Sequence, residues 1–196
     1  MTIDWHNILN AIKHGRFNQL ARIALLALFV IVITVSYHFY KVIWPAPYIA
    51  KQEGFQITFS QAPSVTKLPS EKVSGGEETG EIYSLQSQSS GVAYLVYVTN
   101  YPHINFASLT KNSTIGTLDN EIEILAKNNR ANLSNGQNLT FKGLRAVEAT
   151  LSPTDHSEKN SEVLAFLNKN HLYVIFGTGL SQSKFNSFTN TFKFIN

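Results

Sequence analysis

The chain of 196 residues has no cysteine. That absence excludes disulfides, a thiol nucleophile, cysteine-ligated zinc and the acylated cysteine of a lipoprotein. Secreted eukaryotic domains more often carry disulfides, so the lack leans towards a bacterial envelope protein. Charge is scarce too, at 15% of residues, while aromatics reach 12%, a balance that argues against disorder. The net charge of +3 sits wholly in residues 1–50, where Lys13, Arg16, Arg22 and Lys41 face Asp4 alone; the remaining residues carry 12 basic and 12 acidic side chains. A nucleic-acid-binding domain carries its basic excess on the domain itself. No nucleic-acid partner is therefore expected.

Catalytic and metal spacings are missing as well. The six histidines stand at positions 6, 14, 38, 103, 156 and 171 and form neither H-x-x-x-H nor H-E-x-x-H. Asp155 and His156 are neighbours in a polar stretch, 152–161, that reads as a hairpin loop, and adjacent loop residues seldom face each other as a dyad. Gly177-Thr178-Gly179-Leu180-Ser181 lacks the spacing and lysine of a P-loop and the third glycine of a dinucleotide fingerprint. It reads as a strand-to-helix turn. Glu121 and Glu123 lie two apart and diverge on a helix, so they make no carboxylate pair. Asn112, Asn132 and Asn138 begin N-x-[ST] sequons, which matter only in a eukaryotic secretory setting. The expectation is no catalytic, cofactor-binding or metal-ligating residue, no cofactor, and no enzyme.

What is present begins with a long apolar run. Residues 23–40 read IALLALFVIVITVSYHFY and contain no Asp, Glu, Lys or Arg. With Leu20 and Ala21 the run reaches the roughly 20 residues that cross about 30 Å of hydrocarbon. Arg22 lies one turn inside, within snorkelling reach of the interface. Tyr37, Tyr40 and Trp44 gather at the far end, where amphipathic rings sit at headgroup level, and Pro45 and Pro47 stop the helix. A cleaved signal peptide has a shorter apolar core and a small-x-small site. A cut after Ala50 would put Tyr48 where a small residue is wanted. An uncleaved transmembrane helix over 20–40 is thus expected. Lys13, Arg16 and Arg22 precede it closely, and only Lys41 and Lys51 follow closely, so the N-terminus is expected in the cytoplasm. Before the helix, Trp5, Ile8, Leu9 and Ile12 share one helical face, so residues 1–19 read as an amphipathic segment resting on lipid or docking a partner helix.

After a linker at 41–53 the periodicity changes. Phe55, Ile57 and Phe59 alternate with polar residues as a half-buried strand does. A weak strand is expected at 65–68, a second around 82–85, and a third over 92–99 with Tyr94, Val96 and Val98 on one face. Ile115, Leu118, Ile122 and Leu125 predict a helix over 117–129, with Asp119 and Glu121 near its start and Lys127 and Arg130 near its end. Residues 139–151, 162–168 and 171–178 read as three strands, with a hairpin turn at Asn168-Lys169-Asn170. Ser181 or Ser183 caps a last helix whose buried stripe is Phe185, Phe188 and Phe192. Tyr83, Tyr94, Tyr97 and Tyr101 either line an exposed sheet face or cleft, or pack alternately under helices; packing is favoured. The order of elements predicts an α+β domain, an antiparallel sheet sandwiched by helices, preceded by the one transmembrane helix.

Several of these positions carry a family resemblance. Residues 54–59, GFQITF, with Pro63, the strand ending at Tyr101-Pro102, Gly143 with Ala146 and Glu148, and Leu172-Tyr173 followed by Phe188-Thr189-Asn190-Thr191-Phe192 resemble the PsbP/Mog1-like fold over roughly residues 54–195. Thr191 stands where that pattern has serine. The resemblance implies a binding or assembly factor rather than an enzyme, with no binding residues to carry over. The expected protein is a non-enzymatic accessory or assembly subunit of a membrane or envelope complex. It sits in the bacterial inner membrane, with a single pass and the domain at 54–196 in the periplasm, and its partners are the membrane and another protein. The alternative is a membrane-tethered sensor or carrier that binds a small ligand or peptide in a sheet–helix cleft.

Overall fold

Eleven strands, two α-helices and one turn of 3-10 helix (Phe106–Ser108) are the regular elements of the part of the protein that the computed structural model describes, residues 46–195 without 74–75, 88–90 and 156–158. The expected amphipathic segment at 1–19, the transmembrane helix at 20–40 and residues 41–45 of the linker lie outside the described residues. Among the described residues no helix is long and apolar enough to cross a membrane.

The large sheet has eight strands, all antiparallel: β3 (Ser64–Lys67), β5 (Gly76–Ser87), β6 (Val92–Asn100), β10 (His171–Thr178), β9 (Ser161–Asn168), β8 (Leu144–Pro153) and β7 (Ala131–Phe141) in spatial order, with β4 (Glu71–Val73) also on β5. A small sheet joins β1 (Tyr48–Ala50), β2 (Phe55–Ile57) and β11 (Lys193–Phe194). Tyr48–Ala50 falls in the expected linker, so the folded domain begins before residue 54.

The central hairpin β9–β10 buries both faces, which is why its sequence is nearly unbroken in apolar residues. Val163, Ala165 and Val174 point to one side, and Leu164, Phe166, Tyr173 and Ile175 to the other. The hairpin falls within one residue of the expected bounds. Its turn places Lys169, not a flanking asparagine, at positive φ, +55°.

Helix α1 (Lys111–Asn128) and helix α2 (Gln182–Asn190) cover opposite faces. Thr110 caps α1 by accepting from Ser113 N–H, six residues ahead of the expected start. Residues 111–116, KNSTIG, are weak helix formers, which hid the first turns. Asp119 and Glu121 are therefore mid-helix, the first turn holds no acid, and only Lys127 lies in the last turn as expected. Arg130 is past the helix end at positive φ. Ser181 caps α2, which buries Phe185 and Phe188; Phe192 follows the helix and is fully buried.

The expected strand at 139–151 is two strands. Lys142 at φ +50° and Gly143 at φ +81° turn the chain between β7 and β8, the paired positive φ values of a type I′ hairpin. Residues 132–138 carry no apolar alternation, because all but Leu133 are polar or glycine and the stretch is exposed on the edge strand β7. The α+β class and the antiparallel sheet hold. One outer layer differs: α2 shares its face of the large sheet with the three-stranded sheet, so helices alone do not make the sandwich.

Candidate functional site

Strand register places the site. On the α1 side of the large sheet, Ala93, Thr178, Ser161 and Leu151 form one row across β6, β10, β9 and β8. The next row runs through Leu95 and Phe176, and the third through Ile82 and Tyr97. Helix α1 packs chiefly over β7, β8 and β9, with Leu172 and Val174 of β10 at the margin of the layer beneath it. A helix is about 10 Å wide with its side chains, and strands repeat every 4.8 Å or so. One helix cannot span this sheet. The bare half over β5, β6 and β10 becomes a groove of about 770 Å³ with α1 as its wall, a size within the usual range for small-molecule sites.

The floor is apolar: Ile82, Ala93, Leu95 and Phe176. On the wall, Leu125 is partly buried, but Ile124 stays 43% exposed beside the groove. Polar groups gather at two places. Ser161 Oγ and Thr178 Oγ1 share a hydrogen bond of 2.8 Å in the first row, next to Lys159, Asn128 and Asn129. Glu121 stands on α1 towards Tyr97. Burial raises its carboxyl pKa above the ordinary value. Nearby, burial and then the Glu121 charge hold the Tyr101 hydroxyl above its usual pKa, with the Thr99 hydroxyl acting in the opposite direction.

The four tyrosines divide as strand alternation requires. Tyr83 is buried on the α2 side, and Tyr94 packs on Phe188 at 4.8 Å between ring centroids. Tyr97 and Tyr101 face the α1 side; Tyr97 lines the groove and Tyr101 packs edge-on against Phe106 at 5.6 Å. Tyr97 realises the cleft reading in this groove, and Tyr94 also borders a smaller cleft of about 270 Å³ on the other side.

Two polar clusters on the other side are knitted internally. Tyr83 Oη donates to Glu53 Oε2 at 2.9 Å and also meets Glu81, while Tyr173 Oη donates to the Glu53 carbonyl at 2.6 Å. Burial, reinforced by the carboxylates, pushes both phenols up. These bonds tie the turn before β2 onto the large sheet. A second cleft, about 430 Å³, lies between α2 and the β7–β8 hairpin. In it Gln182 Nε2 donates to Glu148 Oε1 at 2.6 Å and Thr150 Oγ1 donates to Glu162 Oε2 at 2.9 Å. Both clusters hold layers together.

Among the described residues no three His, Asp or Glu side chains converge as metal ligands would. His103 is exposed. His171 is half-buried at the start of β10, where burial and then the Lys169 charge lower its pKa. His156 lies outside the described residues, so the Asp155–His156 pairing does too. Gly177–Ser181 forms the expected strand-to-helix turn: Gly179 has φ +68° and Ser181 caps α2. A Cβ on Gly177 would stand 2.6 Å from Leu180 Cδ1 and 2.7 Å from Phe185 Cδ2, so glycine there serves packing. The groove residues themselves were not foreseen. Their signal was the second apolar face of β6, Ala93-x-Leu95-x-Tyr97, with one amphipathic helix available to cover it.

No family model matches the chain, and no curated protein does. Its structure is similar to the solution structure of cyanobacterial PsbP (CyanoP) from Synechocystis sp. PCC 6803, with a TM-score of 0.47 and 12% identity over 76% of this chain and 91% of that chain. The likeness is to a PsbP-like fold and concerns the fold alone.

Proposed function

We propose that the protein is a non-enzymatic, membrane-tethered binding domain that takes a small apolar ligand or peptide in the groove beside α1. The observation that carries this reading is the groove: an apolar sheet strip, walled by a helix, with a few polar groups at defined places. In this reading residues 20–40 anchor the chain in a bacterial inner membrane with the domain in the periplasm. The tether confines the domain near its ligand or partner and so raises effective concentration.

The reading is tested with a protein of residues 46–196. Both described cores and one compact unit lie within that span, so it is expected to fold by itself. An environment-sensitive apolar dye binds it at one site, and Ala93→Trp, which fills the floor, removes that site while the far-ultraviolet circular dichroism is kept. Undiminished dye binding in the variant places the dye elsewhere and ends this reading.

A second reading, the accessory or assembly subunit, draws on β7. This edge strand runs 11 residues, pairs among the described residues only with β8, and exposes Leu133 at 43%. Such an edge is a template for strand addition by a partner. Crosslinking in intact membranes from cysteines placed at 133 and 137 tests it; the absence of any reproducible adduct counts against it.

A further inference from the structure

The groove is not the same along its length. The row of Ala93, Thr178 and Ser161 marks one end. There Lys159 lies over two glycines: a Cβ on Gly91 would stand 3.3 Å from its Nζ, and one on Gly179 would stand 2.7 Å from its Cδ. Two residues that lack side chains therefore make the bed on which the lysine stem rests, with its ammonium at the groove end. The hydroxyls of Ser161 and Thr178 lie in the same row. Asn129, the residue after α1, lines the groove, and the chain next enters β7, where Ala131 pairs with Pro153 just beyond Leu151. Asn129 thus belongs to this end.

Glu121 marks the other end. It precedes Asn128 by seven residues of helix, about 10 Å at 1.5 Å per residue, and it lies close enough to Tyr101, four residues past Tyr97 and away from Ala93, for its charge to act there. Between the ends are Leu95, Phe176 and Ile124, with no charge. A lysine with hydroxyl groups at one end, an uncharged channel, and one acid at the opposite end describe a directional site. A ligand with a single negative head and an alkyl tail matches the first two features, and the acid opposes the reversed orientation.

We propose that the groove binds a long-chain fatty acid, its carboxylate at Lys159, Ser161 and Thr178 and its alkyl chain along Leu95, Phe176 and Ile124. This rests on the reading of the groove as the binding site. Lys159 keeps an interaction of its own within the protein, and the ligand carboxylate adds to it. The apolar strip offers transfer of methylenes out of water, and the polar end offers charge-assisted hydrogen bonds to a carboxylate.

The full chain in phospholipid nanodiscs is labelled with a diazirine analogue of palmitate, and the adducts are mapped by peptide mass spectrometry. Adducts are expected within residues 92–100 and 121–129. Unlabelled palmitate competes them away, and hexadecanol, which has the tail without the charge, competes about tenfold less well. Lys159→Gln abolishes that preference. Ile124→Glu, at an exposed position and so compatible with folding, cuts labelling at these peptides about tenfold, with an unchanged melting temperature as the folding control. If hexadecanol competes as well as palmitate, or Lys159→Gln changes nothing, the fatty-acid assignment is overturned while the groove stands as an apolar site. If neither compound removes label from these peptides, or Ile124→Glu leaves it unchanged, the groove itself is the wrong site.

Discussion

The two faces of the large sheet are made by alternate residues of the same strands, yet they are closed in different ways. On the α2 side, Phe166 stacks on Tyr173 at 5.2 Å and meets Phe192 edge-on at 5.2 Å, and Phe192 stacks on Phe55 at 5.4 Å. Phe55 and Phe192 come from outside the large sheet. Large rings from three sources fill the centre of that side. On the α1 side, the residues beneath the helix are small or aliphatic: Val147, Ala149, Val163, Ala165 and Val174. They let α1 settle close, and they leave nothing large enough to fill the space beside it. Coverage thus follows from side-chain volume and the number of covering elements. An apolar face meets water where the covering elements run out.

The sharpest break of this comparison is Phe166→Ala, which removes the centre of the aromatic layer. A loss of about 3–5 kcal/mol in urea unfolding is expected. Leu118→Ala, at a fully buried position on the inner face of α1, is expected to cost about 2–4 kcal/mol. A loss below about 1 kcal/mol there would mean that α1 barely docks, and the groove would lose its wall.

Glu121 gives an intermediate effect with a defined pH sign. Burial raises its folded-state pKa above the ordinary 4.5. Its contribution to stability is therefore fully present below the unfolded pKa and is lost as pH rises through the folded pKa. Glu121→Gln removes that loss, so the variant is expected to exceed the parent at pH 7 by about 0.5 kcal/mol or less. The difference should shrink or reverse at pH 4. Parallel unfolding curves at the two pH values, with a constant difference, would show that Glu121 is not the titrating group.

Ile124→Ala should change least, within about 0.5 kcal/mol, because the side chain is already in water beside the groove. A cost like that of Leu118 would mean that the groove is closed in solution.

Sequence patterns captured the elements that pack by period alone. The alternation in 55–59 and 92–99, the β9–β10 hairpin and the Phe stripe of α2 all rest on burial of every second, or every third to fourth, residue. The misread stretches lacked such a pattern. Residues 111–116 become helical through the Thr110 cap and the docking of later turns. Residues 132–138 become a strand through pairing with β8. The break at Lys142-Gly143 was hidden in an apolar run, because a two-residue I′ turn takes so little sequence.

By itself the sequence determined the charge-free 23–40 run, the neutrality of the chain after residue 50, and the α+β antiparallel character of the domain. These depend on composition and local period, which need no partner in space. Only the tertiary structure decided that a second small sheet replaces part of a helical layer, and that α1 covers half of its face. Both are matters of area: how many strands pair sideways, against how many elements remain to lie over them. No local period records that count. The bare strip over β5, β6 and β10 is therefore a product of the assembled sheet, visible in no single segment of the chain.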